Sequence, residues 1–186
     1  MSTVTSPEIT IPAGTWNVDE VHTKLGFAVK HMGVSTVRGE FRDFDVALEA
    51  GEDGVLRADA TIRAASVSTN EEHRDEHLRS ADFFDAAEYP EIRFESTAIE
   101  RVDDENYRIA GELTIHGVTN PIELEAELGG VDRGPEGEYR AGFEVTGQLS
   151  RKDYGMRFNA ALGSGNAVVA DKVKLALDVE LIRAEV

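Results

Sequence analysis

The chain has 186 residues, 41% hydrophobic and 30% charged, a balance that suits one globular domain with room for a core. Its net charge of −17 argues against a nucleic-acid surface, which needs clustered Lys and Arg, and equally against electrostatic docking on anionic lipid. The absence of cysteine excludes a disulfide framework, a zinc–thiolate site and a thiol nucleophile.

Residues 1–12, MSTVTSPEITIP, show no basic region, apolar run or small-residue cleavage site, so they do not read as a signal peptide and cytoplasm is the expected compartment. They read instead as a polar, mobile tail ahead of a single domain spanning 13–186. No window approaches the roughly 18 apolar residues of a membrane span. Thr15 to Asp19 opens the domain as a short strand. Leu25, Phe27 and Val29 then alternate with polar or small residues, His31-Met32-Gly33 breaks the pattern, and Val34 to Phe41 resumes it. Leu48 ends a third strand, and Gly51 to Gly54 is a turn by composition. Leu56, Ala58, Ala60, Ile62 and Ala64 form one face of the next strand.

Alternation stops between Ser66 and Pro90. Thr69 or Asn70 is a candidate helix cap, with Glu71 and Glu72 suited to the positive end of the helix dipole. A helix near Asn70–Ser80 follows, then the aromatic pair Phe83-Phe84, and Tyr89-Pro90 closes the excursion. Past it the period of two returns. Ile92, Phe94, Ser96 and Ala98 share a face, as do Tyr107 to Ile115, Ile122 to Leu128, Phe143 to Leu149, and Val173 to Leu181 at alternate positions. Ser150 to Asn166 is irregular. Many antiparallel strands joined by short turns predict an all-β up-and-down meander of about eight strands, which closes into a barrel to remove its edges, with the helical insert over one end. The outward positions are charged, unlike the apolar outer band of a membrane barrel. The inward face is apolar but often small, at Ala58, Ala60, Ala64, Ser96, Ala98, Gly111, Ala126 and Gly147. Small residues leave space for a ligand, or interdigitate with large ones in a filled core, and the pattern alone allows both.

His73 and His77 are four apart on the expected helix, a spacing at which two imidazoles can share an ion. The order Glu-His-Arg-Asp-Glu-His matches neither zinc-helix motif and offers no further ligand nearby, so no metal is expected. No serine elbow is present, and Gly163-Ser164-Gly165-Asn166 lacks the lysine of a phosphate loop. Arg151 to Arg157 mixes cations with apolar groups, fit for the polar end of an amphiphile or for an ordinary anchored loop.

Four blocks in matching order resemble the YceI-like proteins. They are Trp16-Asn17-Val18-Asp19 with His22, Phe27, His31, Val37, Gly39 and Phe41; Ser66-Val67 with Thr69, Arg74-Asp75, His77-Leu78, Phe83-Phe84, Tyr89-Pro90 and Phe94; Gly111 to Thr119; and Arg151, Asp153 and Tyr154-Gly155-Met156 with the final strand. The resemblance implies a lipocalin-like barrel that binds a polyisoprenoid, an isoprenoid quinone or a similar lipid in an internal tunnel, commonly as a homodimer, with neither catalysis nor a cofactor. Many such relatives are exported, a feature the N-terminal residues here do not show. Under this reading the cavity candidates are Phe27, Ala58, Ala60, Ile62, Phe83, Phe84, Phe94, Leu113, Ala126, Phe143 and Met156. Candidates for the polar head or entrance are His31, Arg74, His77, Arg151 and Tyr154, with an ion pair as the competing role for Arg74. Two other readings stay open: an enzyme on a lipid-like substrate using His31, His77 or His116 as acid–base, and a barrel that scaffolds protein contacts.

Overall fold

The computed structural model describes residues 9–164 and 167–185, so part of the 163–166 loop and residues 1–8 of the expected tail lie outside the described residues. The strands are β1 (Gly14–Val18), β2 (Lys24–His31), β3 (Ser35–Phe41), β4 (Phe44–Ala50), β5 (Leu56–Arg63), β6 (Val67–Ser68), β7 (Glu91–Arg101), β8 (Asn106–Ile115), β9 (Val118–Arg133), β10 (Tyr139–Ser150) and β11 (Val169–Arg183), with one helix, α1 (Glu72–Arg79). All strand pairs are antiparallel.

These form the expected closed eight-strand barrel, two of whose staves are broken. The long β11 pairs with β1 near its end (Val18↔Leu181) and with β2 over the rest (Lys24 to His31 against Asp178 to Val169). β1 and β2 are therefore one stave interrupted at 19–23, and β3 and β4 are the next, interrupted at 42–43. The first break is a short 3₁₀ turn in which Asp19 Oδ1 accepts the Val21 N–H at 3.0 Å and Thr23 Oγ1 accepts the Glu180 N–H at 3.0 Å. The second is bridged by the Arg63 N–H to Asp43 O at 2.9 Å. From β5 onward the order follows the sequence, β5-β7-β8-β9-β10-β11.

Register gives the barrel a base and a mouth. Trp16, Leu48, Ala141, Leu128 and Leu181 are buried at the base, and the Trp16 indole N–H donates to Pro12 O at 3.0 Å. Ile9 and Ile11 also pack against core residues, so the described end of the expected tail is part of the base. At the mouth, β5 leaves the wall, β6 adds two residues to β3, and α1 follows.

Two expectations change in detail. The α1 cap is Glu71, whose carboxylate accepts the His73 and Arg74 N–H groups, while Asn70 has a positive φ of 60° and Thr69 is turned to buried Asp75 instead. A bulge between Ser96 and Ala98 swaps the faces of β7, so Ala98 is exposed and Ile99 points inward. Ser96 faces β5, where its Oγ accepts the Ala58 N–H at 2.9 Å. Among the described residues no helix is long and apolar enough to cross a membrane.

Candidate functional site

Inside the barrel lies a cavity of about 460 Å³, within the range of small-molecule sites. Each of the eight staves contributes to its wall, which is almost wholly Leu, Ile, Val, Phe and Ala. The small inward residues have two different uses. Ala58, Ala60 and Ala126 line open space. The glycines do not: a Cβ at Gly39 would strike the Phe27 ring, one at Gly111 the Phe94 ring, and one at Gly147 the Leu124 side chain. Large side chains thus lie flat across glycines, and alanines leave the room.

Of the sequence-derived candidates, Phe27, Ile62, Phe83, Phe84, Phe94, Leu113, Phe143 and Met156 stand in the cavity wall together with the three alanines. His31, Arg74, His77 and Arg151 are also there, at the mouth. Tyr154 stands apart. It is buried in the core beside the 3₁₀ turn Arg151–Tyr154, its hydroxyl pushed up in pKa chiefly by burial, and its carbonyl lies 3.1 Å from His116 Nδ1. Its place in the fold is packing, and His116 likewise lies outside the wall, edge-on to Tyr89.

Two aromatic groups frame the mouth. His77, Phe83 and Phe158 meet with ring centroids 4.8–5.4 Å apart, and Phe84 stands edge-on to Phe41, which in turn meets Phe27. His77 Nε2 is 2.8 Å from Asp82 Oδ2, a contact that orients its ring. His73 is exposed, and the two helix histidines are not joined by any further converging ligand among the described residues.

The two cations are held differently. Arg74 Nε donates to Thr69 Oγ1 at 2.7 Å and its Nη2 to Thr69 O at 3.1 Å. Thr69 Oγ1 in turn donates to Asp75 Oδ1 at 2.6 Å, and the same oxygen accepts the Thr69 N–H at 2.8 Å. Asp75 is only 3% exposed. Instead of an ion pair, then, the Arg74 head is aimed by a neutral hydroxyl and a carbonyl. Arg151, also 3% exposed, donates to the carbonyls of Ala170, Met156 and Val169, tying the end of β10 to the start of β11. Burial lowers its pKa, partly offset by Asp171. The Thr69–Arg74–Asp75 relay was not anticipated from sequence; its signal is a threonine six residues ahead of an aspartate across a helix start.

A second polar cluster lies outside the cavity. Asp19, His22 and Glu180 converge as metal ligands do. Arg140 Nη1 already fills the space between the acids, 2.8 Å from Asp19 Oδ2 and 2.7 Å from Glu180 Oε1. The cluster is thus an ion-pair knot at the first stave break.

Comparison with known proteins agrees with this architecture. The chain is 39% identical over 170 residues to a UPF0312 protein of Staphylococcus aureus, covering 90% of this chain and 96% of the relative. A solved YCEI protein of Campylobacter jejuni superposes with a TM-score of 0.71 at 34% identity, over 90% of this chain and 97% of that one. A polyisoprenoid binding domain from Saccharophagus degradans shares the fold, with a TM-score of 0.68 at 14% identity over 91% of this chain and 98% of that domain. The model of the YceI-like domain matches residues 16–181, nearly the whole barrel, and the chain belongs to that family.

Proposed function

We propose that the protein binds a long-chain apolar amphiphile, such as a polyisoprenoid or an isoprenoid quinone, inside the barrel, and sequesters or carries it without chemical change. The observation that carries this reading is the apolar cavity inside the closed barrel, with His31, Arg74, His77 and Arg151 gathered at its mouth. The Saccharophagus domain, named for polyisoprenoid binding, has the same fold and supports the class of ligand. Burying one five-carbon unit at about 0.8 kcal/mol per carbon contributes up to about 4 kcal/mol. Several units already approach the practical ceiling of about 20 kcal/mol, so ordering costs offset much of the gain and chain length is read weakly. Selectivity then falls to the head group, for which Arg74 is the better placed cation because Thr69 occupies only part of its donor set.

The non-catalytic part of the reading rests on the wall's chemistry. His77 has a carboxylate partner in Asp82, but no serine stands among the described cavity-lining residues to serve as a nucleophile beside it. The reading includes no resident cofactor or metal, a homodimer as in the family, and a cytoplasmic location. Mass spectrometry of an organic extract of the purified protein tests it. A stoichiometric prenyl chain or quinone is the expected result. Recovery of that lipid chemically altered on incubation would favour an enzyme, and a clean extract from protein that cannot be loaded would favour a scaffold.

A further inference from the structure

The wall between β5 and β7 is continuous only toward the mouth. Their ladder runs from Arg63↔Glu91 down to Asp59↔Glu95 and stops. Below it, register pairs Leu56 to Ala58 with β4 alone and the rest of β7 with β8 alone. The bulge beyond Ser96 turns β7 out of step, and the Ser96 hydroxyl takes the place of a ladder carbonyl by accepting the Ala58 N–H at 2.9 Å. The last ladder pair sets two acids opposite one another, which weakens it.

A second pit, of about 290 Å³, opens on the outer surface at this seam. Ala58, Asp59, Ala60 and Phe94 line both the pit and the cavity, so the two meet back to back there. Unlike the cavity, the pit is polar, with Arg57, Thr61, Arg93 and Glu95 around it. Its charges are interleaved. Glu49 stands opposite Arg57, Glu112 stands opposite Glu95, and Arg93 Nε donates to Glu91 at 2.9 Å. An anion here would face the acids and a cation the arginines, whereas a neutral hydrogen-bonding group suits both. Ser96 Oγ accepts from Ala58, and no described acceptor takes the proton of its own hydroxyl.

The base below the seam is shut by Trp16, Leu128, Ala141 and Leu181. A chain carbon takes up about the 30 Å³ of a liquid water molecule, so a cavity of about 460 Å³ holds roughly fifteen. We propose that the seam at Ala58 and Ser96 is a second polar station, and that the ligand carries a hydroxyl at the end remote from its head. The proposal rests on the cavity reading and adds the chemistry of the far end. The head stays with the cations of the mouth, the chain fills the barrel, and the terminal hydroxyl meets Ser96 where the wall is open.

Calorimetric titration of the full chain with palmitic acid and with ω-hydroxypalmitic acid tests this, because the two differ only at the far end. Water favours the hydroxy acid, so a wholly apolar cavity binds it more weakly than palmitic acid. The seam is expected to reverse that order, with the hydroxy acid bound roughly tenfold tighter. Ser96→Ala is expected to abolish the preference, and Ser96→Thr, which keeps a hydroxyl, to retain it. Arg74→Gln, at the mouth, is expected to weaken both acids and leave their ratio unchanged. The ratio is read within each variant, so a general loss of stability cancels. Equal binding of the two acids by the wild type, or a preference for palmitic acid, overturns the proposal even if Ser96→Ala does not fold. A preference undiminished in folded Ser96→Ala overturns it too. Uptake of a short-chain isoprenoid quinone is measured in parallel. Quinone uptake without preference for the hydroxy acid removes the seam and leaves the cavity reading; binding of neither acid nor quinone removes both.

Discussion

Ala60 and Ala126 do by omission what most wall residues do by bulk. Ala60 pairs with Val46 and Phe94, and Ala126 with Tyr107 and Val145, so each is an open place in a rank of larger side chains. Replacement of either by Phe is expected to weaken binding of a prenyl probe by at least about tenfold, and to cost about 1–3 kcal/mol of stability through overpacking. Titration of a fluorescent prenyl analogue against folded variants checks the first, and denaturant unfolding checks the second. The alanines were legible from alternation alone. Their difference from the glycines was not, because period two places Gly111 and Ala126 on the same face without saying that the Phe94 ring lies across one of them. Ala98 was misplaced for a related reason: one extra residue in β7 inverts the faces beyond it, and nothing in Ser96-Thr97-Ala98 marks the bulge.

At the scale of the element, α1 owes its position to Asp75 more than to its cap. The helix is two turns long and mostly exposed, too short to hold itself together in water. Buried Asp75 fixes it to Thr69 by two hydrogen bonds, and Thr69 in turn aims Arg74. Asp75→Ala leaves the Thr69 N–H without its acceptor, at an expected cost of about 1–3 kcal/mol. Hydrogen exchange is expected to quicken in residues 70–84 more than in β8–β10. Lipid is expected to slow exchange in that same segment of the wild type, and protection confined to the base would remove the entrance from this end. The sequence showed that a helix interrupts the strands and that an aromatic pair follows it. It could not show which polar residue turns inward, because Thr69, Asn70 and Glu71 are all competent caps and tertiary packing of Asp75 decides among them.

For the whole molecule, the ion-pair knot joining Asp19, His22, Arg140 and Glu180 links stability to pH. Asp19 is lowered to about 2, first by its hydrogen bond to His22 and further by Arg140. Its contribution is therefore complete above the ordinary carboxylate range and is lost as pH falls from about 4 toward 2, and solvent screening of the exposed His22 keeps it modest. His22 is raised by Asp19, so its contribution is complete below the ordinary imidazole value and fades as pH rises through the raised one. Melting temperature against pH should thus fall on both sides of a mildly acidic plateau. Asp19→Asn is expected to flatten both limbs, and His22→Ala to remove the alkaline limb and shrink the acid one to the part Arg140 sustains; unaltered profiles would show that the knot contributes nothing to folding.

The ring is completed by β11, the last strand along the chain, when Leu181 and Arg183 meet Val18 and Trp16 of the first. During synthesis every earlier strand must therefore emerge before the wall can shut. Until then the apolar inner faces of the other staves stand open to solvent or to any chaperone present. Contacts that span almost the whole sequence also make closure slow compared with a helical bundle of similar size. A nascent barrel of this kind presents its greasiest surface at its most vulnerable moment, and an apolar molecule captured then would be enclosed as the last strand zips into place.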